Sequence, residues 1–498
     1  MIRTLALACA IFAAAPLQAQ TENAAQLVQE SIAQLDRDPG QALRTSDRAL
    51  RLDPQVKGGQ VARAWALEAL GRTAEAEAAF RLALNADPRD ADAIIGLARL
   101  ERKGGHPDLA ITRLDALLAT SDNSEARFER AIALNTAGQT DKAIAEYDRI
   151  IADKPNASAL YNRGWILRNR KDYARALTDF EKARALAPDD VDTLNALAGT
   201  LALLDRNAEA LAGYSAALAI APTNADALSG IADAQYNLGH WQLAATAYRA
   251  ALKVSPKNAD LALWEGRALA KTGDEKGAIA AFNLAITLDA TSTDALHERA
   301  QAYARAGNSK LALADYAQAI KIGPVNAEIL VDRSFLYRDI DRAKDARADV
   351  DAALKIDPKS AYALNALGLL HADAEEYTDA VAAYERALAI DSEYESAYYN
   401  RGNAFVGLER YDRAIRDYNE SLRRSPADPV TLAAKGEAYR LIDDDLRAIE
   451  EFTAAIAADP TLAIAYWRRA LSEEAIGETA AAKEDRARAL QLDPTLAS

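Results

Sequence analysis

The chain has 498 residues, of which 27% are charged, and acidic residues outnumber basic residues by 74 to 59. This acidic balance argues against broad nucleic-acid binding, which needs a basic surface. The single cysteine, Cys9, lies near the start of the chain, so residues 20–498 offer no thiol for a disulfide bond, a nucleophile or a metal site.

The first residues have the pattern of a secretory signal peptide. Arg3 precedes an apolar run from Leu5 to Ala15, and small residues continue to Ala19. We expect residues 1–19 to be removed and the protein to be exported, in the manner of a bacterial periplasmic protein. The apolar run is too short to cross a bilayer, so we expect no transmembrane segment. Without residues 1–19, which hold one basic and no acidic residue, 58 basic and 74 acidic residues remain, a net charge of −16.

One helical hairpin recurs along the rest of the chain. In residues 395–426, two segments with helical spacing of apolar residues flank a break at residues 409–411. Pro426 ends the second segment, because proline lacks the amide donor that would continue the helix. The unit-ending position recurs every 33 or 34 residues, and eleven of the fifteen prolines occupy it. The positions are Pro54, Pro88, Asp122, Pro155, Pro188, Pro222, Pro256, Ala290, Pro324, Pro358, Ser392, Pro426, Pro460 and Pro494.

Three other positions in the unit have a fixed side-chain size. Twelve residues before the unit-ending position, all fourteen units have alanine. Twenty-four residues before it, thirteen units have Ala, Gly or Ser, and eight residues before it most units have Tyr or Phe. Small and large side chains at fixed positions let neighbouring helices interlock. The pattern therefore predicts fourteen hairpins of two helices each, with one continuous apolar core.

This pattern resembles the tetratricopeptide repeat family. The unit that ends at residue 426 carries the residues typical of the family, which are Tyr398, Gly402, Ala414, Tyr418 and Pro426. It departs from the family at Ser421, where alanine is usual. The resemblance implies an all-α fold, an α-solenoid in which about fourteen repeats form a right-handed superhelix over residues 20–498. It also implies a concave face made by the first helix of each repeat.

The repeats leave no gap that could hold a catalytic domain. The four histidines stand in separate units, and the sequence has no glycine-rich phosphate loop and no serine elbow. We therefore expect no enzymatic activity, no cofactor and no metal site. Seven glycines share the position between the two helices of a unit, where a turn with positive φ is needed. They are Gly71, Gly105, Gly138, Gly239, Gly273, Gly307 and Gly477.

The family resemblance places partner-binding side chains on the first helix, 27, 23, 20 and 19 residues before the unit-ending position. In this chain nine basic and six acidic residues occupy these positions, so we expect an inner groove with a charge near +3. Aromatic residues and arginine are also the usual hot spots of interfaces. The main candidates are Trp65, Arg99, Arg102, Lys103, Tyr161, Trp165, Arg168, Asn169, Tyr236, Asn237, Arg267, His297, Arg305, Phe335, Arg338, Tyr399, Asn403 and Trp467.

Two kinds of partner stay open at this point. A scaffold that holds an extended peptide or a protein would use arginines such as Arg168 and Arg305, and its binding would depend on salt. A protein that holds an envelope glycan, as part of a synthesis or export assembly, would use tryptophans such as Trp65, Trp165 and Trp467. The carboxylate clamp of chaperone-binding family members is not expected, because no unit has lysine 27 residues before its end.

A basic residue and an acid sixteen residues further on recur in seven units. Units with Leu197, Ile231 or Leu367 in place of the basic residue have glycine or alanine in place of the acid. This co-variation predicts an ion pair between the two helices of a unit. Two units depart from the pattern, because Arg63 faces an alanine and Glu265 replaces the basic residue. The predicted pairs are Arg130–Glu146, Arg163–Asp179, Arg299–Asp315, Arg333–Asp349, Arg401–Asp417, Lys435–Glu451 and Arg469–Asp485.

Overall fold

The structure is a computed structural model that describes residues 23–324 and 326–497. The expected signal peptide, residues 1–19, lies outside the described residues. Within them, the regular structure consists of 28 α-helices and one short 3-10 helix at Pro494–Ala497. The all-α fold and its fourteen helix pairs are therefore confirmed.

Each odd-numbered helix is the first helix of a repeat, and each even-numbered helix is the second. The helices are α1 (Ala24–Gln34), α2 (Pro39–Leu52), α3 (Gly59–Ala69), α4 (Thr73–Ala86), α5 (Ala91–Lys103), α6 (Pro107–Leu118), α7 (Ser124–Thr136), α8 (Thr140–Asp153), α9 (Ala157–Asn169), α10 (Tyr173–Leu186), α11 (Val191–Leu203), α12 (Asn207–Ile220), α13 (Ala225–Asn237), α14 (Trp241–Val254), α15 (Ala259–Lys271), α16 (Glu275–Leu288), α17 (Thr293–Arg305), α18 (Ser309–Ile322), α19 (Ala327–Asp339), α20 (Ala343–Ile356), α21 (Ala361–Asp373), α22 (Tyr377–Ile390), α23 (Glu395–Gly407), α24 (Tyr411–Arg424), α25 (Pro429–Arg440), α26 (Asp445–Ala458), α27 (Ala463–Ala475) and α28 (Thr479–Leu492).

The chain divides into two compact units, and the boundary between them in the sequence falls within α13, between Ala234 and Gln235. In each unit, the two helices of a repeat pack against each other, and the second helix packs against the first helix of the next repeat. A first helix inside a unit therefore lies between two second helices. This arrangement is the α-solenoid architecture that the repeat pattern predicts.

The turn between the two helices of a repeat has one residue in the left-handed region. All seven glycines predicted there have positive φ, between 72° and 88°. Six other repeats adopt the same conformation without glycine, with φ between 56° and 63°. These residues are Lys171, Asp205, Asp341, Glu375, Glu409 and Asp443. The conformation is thus set by the hairpin, and glycine is only the least strained residue for it.

Close packing between the two helices of a repeat follows the small and large positions of the sequence. All fourteen alanines twelve residues before the unit end are fully buried, at 0% exposure. A Cβ added to Gly368 would lie 2.4 Å from the ring of Tyr384, and one added to Gly402 would lie 2.6 Å from the ring of Tyr418. The predicted interlocking is confirmed, since the aromatic ring fills the space that the small residue leaves.

All seven predicted ion pairs between the helices of a repeat are present. In five of them an arginine donates through Nε and Nη2 to both oxygens of one aspartate, as Arg299 does to Asp315 at 2.7 Å for each bond. The carboxylates are largely buried, with Asp315 at 6% exposure and Asp179 at 3%. The other three of these five pairs are Arg333–Asp349, Arg401–Asp417 and Arg469–Asp485.

The two units that depart from this pattern also have ion pairs, which the sequence comparison did not identify. Arg63 bonds Asp47 at 2.8 Å, and Glu265 bonds Arg249 at 2.6 Å. Each partner stands sixteen residues earlier, in the second helix of the preceding repeat. Because a first helix lies between two second helices, an equivalent partner is within reach on either side.

Candidate functional site: the first-helix face

The first-helix face is the surface formed by the odd-numbered helices within each compact unit. Neighbouring first helices contact each other directly, for example α5 with α7 and α19 with α21. All eighteen candidate residues of the sequence analysis lie on first helices. Side chains on this face reach across to the next repeat, so its chemistry depends on residues about 30 to 35 positions apart.

A cavity lies on this face in the first repeats, and Trp65 forms part of its wall. The cavity has a volume of about 510 Å³, and its lining includes Ile32, Leu35, Glu68, Arg99 and Lys103. The Arg99 guanidinium lies over the Trp65 ring, 4.7 Å from the ring centre. Larger cavities of about 860 and 1040 Å³ are lined mainly by second helices and connecting loops.

The basic residues around this cavity already have carboxylate partners. Arg99 Nε donates to Glu129 at 2.9 Å, and Arg102 lies 3.5 Å from the same carboxylate. Lys103 Nζ donates to Glu68 at 2.7 Å. Glu129 is only 5% exposed, so its charge is held inside the face by these two arginines.

A second cluster lies on α9 and contains Tyr161, Trp165 and Arg168. The two rings meet edge to face with centres 6.3 Å apart, and the Arg168 guanidinium lies 4.6 Å from the Trp165 ring centre. Among the described residues Arg168 has no carboxylate partner. Asn169 is exposed at the end of the same helix. This cluster combines a half-buried aromatic wall with a cation that contacts no carboxylate in the described part of the chain.

A third cluster forms around Trp264, which sequence reasoning missed because it stands one residue outside the four expected positions. Tyr236 meets Trp264 edge to face at 5.2 Å, and Arg267 lies over the Trp264 ring at 4.6 Å. Arg267 Nε also donates to Glu298 at 2.7 Å. The adjacent candidate Asn237 has a partner of its own.

A hydrogen-bonded network on α17, α19 and α21 centres on Asp332, which was not among the candidates. One carboxylate oxygen lies 2.6 Å from His297 Nε2 and accepts from Gln301 at 2.6 Å, and the other accepts from the Tyr362 hydroxyl at 2.5 Å. Phe335 packs edge to face against Tyr362, with ring centres 5.5 Å apart. The network joins three successive repeats across the face.

The pKa values of the two central groups are shifted in opposite directions. Burial alone would lower the pKa of His297, but its hydrogen bond to Asp332 and the nearby charges of Asp332, Glu328 and Glu298 raise it overall. Burial alone would raise the pKa of Asp332, but bonds from His297, Tyr362 and Gln301 lower it overall. The pair is therefore held in its charged form.

The remaining candidates also have contacts within the protein. Arg305 donates to Glu275 at 2.6 Å, and Arg338 donates to Asp373. Tyr399 packs near Tyr418, and the Tyr418 hydroxyl donates to Asn403 at 2.6 Å; the Arg486 guanidinium lies 5.6 Å from the Trp467 ring centre.

The charge of the first-helix face is less positive than the value near +3 predicted by counting charged residues at four repeat positions. Carboxylates outside those positions, notably Glu129, Glu298 and Asp332, lie among the basic residues and pair with them. They stand 26 residues before their unit ends, on the next first helix. A simple surplus of positive charge is therefore the wrong description of this face, and single cations without an internal partner are more informative.

One group of side chains in the described part has a geometry that could hold a metal ion. The ligand atoms of His371, Glu376 and Asp379 lie within 4.8 Å of one another. His371 Nδ1 lies 2.6 Å from Glu376, and the same two positions of another repeat hold Gln235 and His240, hydrogen bonded at 2.8 Å. The recurrence of this contact without a metal-binding pair indicates that it fastens the turn.

Comparison with family models identifies the repeats. The tetratricopeptide repeat model matches residues 95–158, 230–295, 297–361, 336–395, 365–429 and 399–463, and related models of the same repeat match residues 157–190 and 57–100. The chain belongs to the tetratricopeptide repeat family. Membership of this family supports a role as a scaffold for protein interactions. No described helix combines the length and the apolar character that crossing a membrane requires.

Solved structures similar to this repeat protein include three that differ widely in size. A chain of the APC/C hetero-tetramer Cut9–Hcn1 is 16% identical, with a TM-score of 0.44 and coverage of 90% of this chain and 95% of that chain. A tetratricopeptide repeat protein from Parabacteroides merdae is 19% identical, with a TM-score of 0.43, and the match covers 50% of this chain and 98% of that one. MamA is 25% identical, with a TM-score of 0.29, and the match covers 32% of this chain and 94% of that one. A search of curated proteins found no match.

Proposed function

We propose that this protein is a non-enzymatic scaffold of the cell envelope that binds an extended peptide or a protein partner on its first-helix face. The observation that carries the proposal is the cluster of Tyr161, Trp165 and Arg168. It presents two half-buried aromatic rings beside a guanidinium with no carboxylate partner in the described chain. Aromatic residues and arginine in such positions supply most of the free energy of many interfaces.

The glycan alternative has less support from the geometry. A sugar ring would stack on the open face of a tryptophan, but an arginine guanidinium covers one face of Trp65, of Trp165 and of Trp264, at 4.6 to 4.7 Å. Arg99 and Arg267 are already bonded to Glu129 and Glu298, whereas Arg168 suits hydrogen bonds to the carbonyl and carboxylate groups of a peptide. We therefore favour a peptide or protein partner.

Partner capture tests the proposal. Residues 20–498 should retain a specific partner from envelope extract, and the double change Trp165→Ala with Arg168→Glu should abolish capture without altering the circular dichroism spectrum. Arg440→Gln is the matched control, because Arg440 stands at the same repeat position as Arg168 and is already paired with Glu437. Capture that survives the double change would show that the partner binds elsewhere. Capture that is lost in Trp165→Ala alone, and that is insensitive to salt, would favour a glycan.

The envelope location rests on residues 1–19, and a separate experiment tests it. We expect protein from the periplasmic fraction to begin near Gln20 when its N terminus is sequenced. An intact Met1 on soluble protein from the cytosolic fraction would contradict export and leave the interaction proposal standing.

A further inference from the structure

Four repeats carry an arginine twenty residues before the unit end, and three of these arginines meet a carboxylate of the chain itself. The four are Arg102, Arg168, Arg338 and Arg440. Arg102 lies 3.5 Å from Glu129, Arg338 donates to both oxygens of Asp373, and Arg440 lies 2.7 Å from Glu437. The same position thus takes a carboxylate repeatedly within one protein. Arg168 is the member of the set without one in the described chain.

A comparison of Arg338 with Arg168 shows why. The carboxylate that meets Arg338 belongs to Asp373, nineteen residues before the end of the next repeat. In the repeat that follows Arg168, Leu203 occupies that position, and its side chain is 49% exposed. The internal acid is therefore replaced by a leucine that extends into solvent.

Arg168 also lies against a buried glycine of the next first helix. Gly199, on α11, stands 23 residues before its unit end, where other repeats carry Trp65, Trp165 or Phe335. A Cβ placed on Gly199 would lie 3.1 Å from Arg168 Nη2 and 3.2 Å from the Tyr214 hydroxyl oxygen. Two hydrogen-bond donors thus converge on the space that a side chain at Gly199 would occupy.

Further polar capacity lies one helical turn away. Asn195 Oδ1 is buried and has no hydrogen-bond partner, while its amide nitrogen donates to Asn224 at 3.0 Å. A buried acceptor without a partner is costly unless a ligand or water satisfies it. An extended peptide can supply the missing donor through a backbone N–H.

We infer that Arg168 and Tyr214, whose polar ends lie over Gly199, form a receptor for a carboxylate of the bound peptide. The inference rests on the proposed peptide-binding function and names the group that the partner presents. The guanidinium and the hydroxyl donate to the carboxylate oxygens, Trp165 holds the guanidinium in place, and Asn195 accepts from the peptide backbone. Glu, Asp and a C-terminal carboxylate share this chemistry.

The structure suggests substitutions that close the receptor without removing the arginine. Leu203→Asp copies Asp373 and would supply an internal carboxylate to Arg168. Gly199→Leu copies Leu369, the residue at the equivalent position in the repeat of Asp373, and would fill the space. Leu203 is exposed, whereas Gly199 is buried beneath Arg168 and Tyr214, so circular dichroism is needed to verify that both variants retain their helices.

Fluorescence anisotropy with three short labelled peptides tests the inference. The first peptide contains glutamate and has an amidated end, the second contains glutamine and has a free C-terminal carboxylate, and the third contains glutamine and is amidated. We expect one or both of the carboxylate peptides to bind more tightly than the third, and binding to weaken at least about tenfold in Leu203→Asp and Gly199→Leu. Arg440→Gln should leave affinity unchanged, because that arginine is already paired with Glu437.

The outcomes separate the receptor from the wider proposal. Preference for the first or the second peptide identifies a side-chain or a terminal carboxylate. Equal binding of all three peptides, or affinity that Leu203→Asp leaves intact, would overturn the receptor. If Leu203→Asp still captures its partner from envelope extract, the scaffold function stands and the carboxylate receptor does not. A gain-of-function variant, Leu369→Gly with Asp373→Leu, should bind a second equivalent of the carboxylate peptide.

Discussion

Two stretches of the first-helix face use the same scaffold in different ways. Beneath α9–α11, the ion pair Arg163–Asp179 joins the two helices of a repeat through hydrogen bonds of 2.8 and 2.7 Å. We call such an ion pair within a repeat a rung. Beneath α17–α21, the rung Arg299–Asp315 has the same geometry, with both bonds at 2.7 Å. On the first-helix face above these rungs the two stretches differ. Carboxylates of the described chain accept hydrogen bonds from the donor side chains of α17–α21, but not from the corresponding arginine of α9–α11.

In α17–α21, Asp332 satisfies His297, Gln301 and Tyr362, and Asp373 satisfies Arg338. In α9–α11 the corresponding arginine, Arg168, has a tryptophan for a neighbour and no described acid. The contrast teaches that contacts within a repeat hold the scaffold together. Contacts between neighbouring first helices determine whether the polar side chains of a stretch bond to each other or are left open to a partner. Four predictions test this division, beginning with the largest expected effect.

The ion pairs should support the helices under both stretches. We expect Asp315→Ala to cost about 3–5 kcal/mol of unfolding free energy, because it leaves a partly buried arginine without a carboxylate. Asp179→Ala should cost less, because Arg163 keeps a second carboxylate, Asp148, at 2.5 Å. The double changes Arg299→Leu with Asp315→Ala, and Arg163→Leu with Asp179→Ala, should recover much of the loss by copying the repeat with Leu367. Urea midpoints measure this. A double variant no more stable than its single variant would show that the rungs are structurally idle.

Two glycines should respond differently to the same substitution. Gly368→Leu should cost about 1–3 kcal/mol, because even a Cβ at this site would lie 2.4 Å from the Tyr384 ring within the hairpin. Gly199→Leu should cost clearly less, since its nearest neighbours are the ends of the Arg168 and Tyr214 side chains. Thermal unfolding of the two variants makes the comparison. Equal losses would mean that the side chains over Gly199 cannot move aside and that this site is as tightly packed as the one at Gly368.

The stability of the α17–α21 stretch, whose polar side chains bond to each other, should depend on pH. The pKa of His297 is raised in the folded protein by Asp332 and neighbouring acids, despite burial. Its stabilising contribution should therefore be complete below the unfolded value, about 6.5, and should disappear as pH rises through the higher folded value. The stability difference between the wild type and His297→Gln, measured by urea denaturation from pH 6 upward, should shrink with increasing pH. A difference that stays constant or grows would contradict the assignment.

The smallest expected effect concerns the turns, which should not distinguish the stretches. Asp205 and Asp341 occupy the same left-handed turn position, with φ of 57° and 58°. Replacing either with glycine relieves backbone strain but loses more entropy on folding, so we expect a net gain of about 0.5 kcal/mol in both. Matched melting temperatures of the two variants would support a uniform scaffold, and gains that differ widely would contradict it.

The scaffold could be read from the sequence because its contacts recur at a constant separation. Gly402 and Tyr418, or Arg401 and Asp417, stand sixteen residues apart, and the same spacing returns in other repeats. Asp47 also stands sixteen residues from Arg63, but it precedes the arginine instead of following it. That pair was missed because partners were sought in one direction only.

The face was harder to predict because its contacts are particular to each place. Arg99 and Arg338 stand at expected binding positions, yet Glu129 and Asp373 on the next first helix neutralise them. Recognising this requires knowing that the residues stand opposite each other across neighbouring helices. The importance of Gly199 was likewise invisible, since an absent side chain has no pattern of its own.

The short reach of the contacts bears on how the chain acquires its structure. In the described part, side-chain hydrogen bonds between neighbouring first helices join residues about 35 positions apart. Such a low contact order removes the entropic cost of closing long loops, which favours rapid folding. A nucleus of two neighbouring hairpins can form at any point within a compact unit and grow by adding one hairpin at a time. Unfolding can then begin by fraying at an end, and the loss of terminal repeats need not propagate through the whole array.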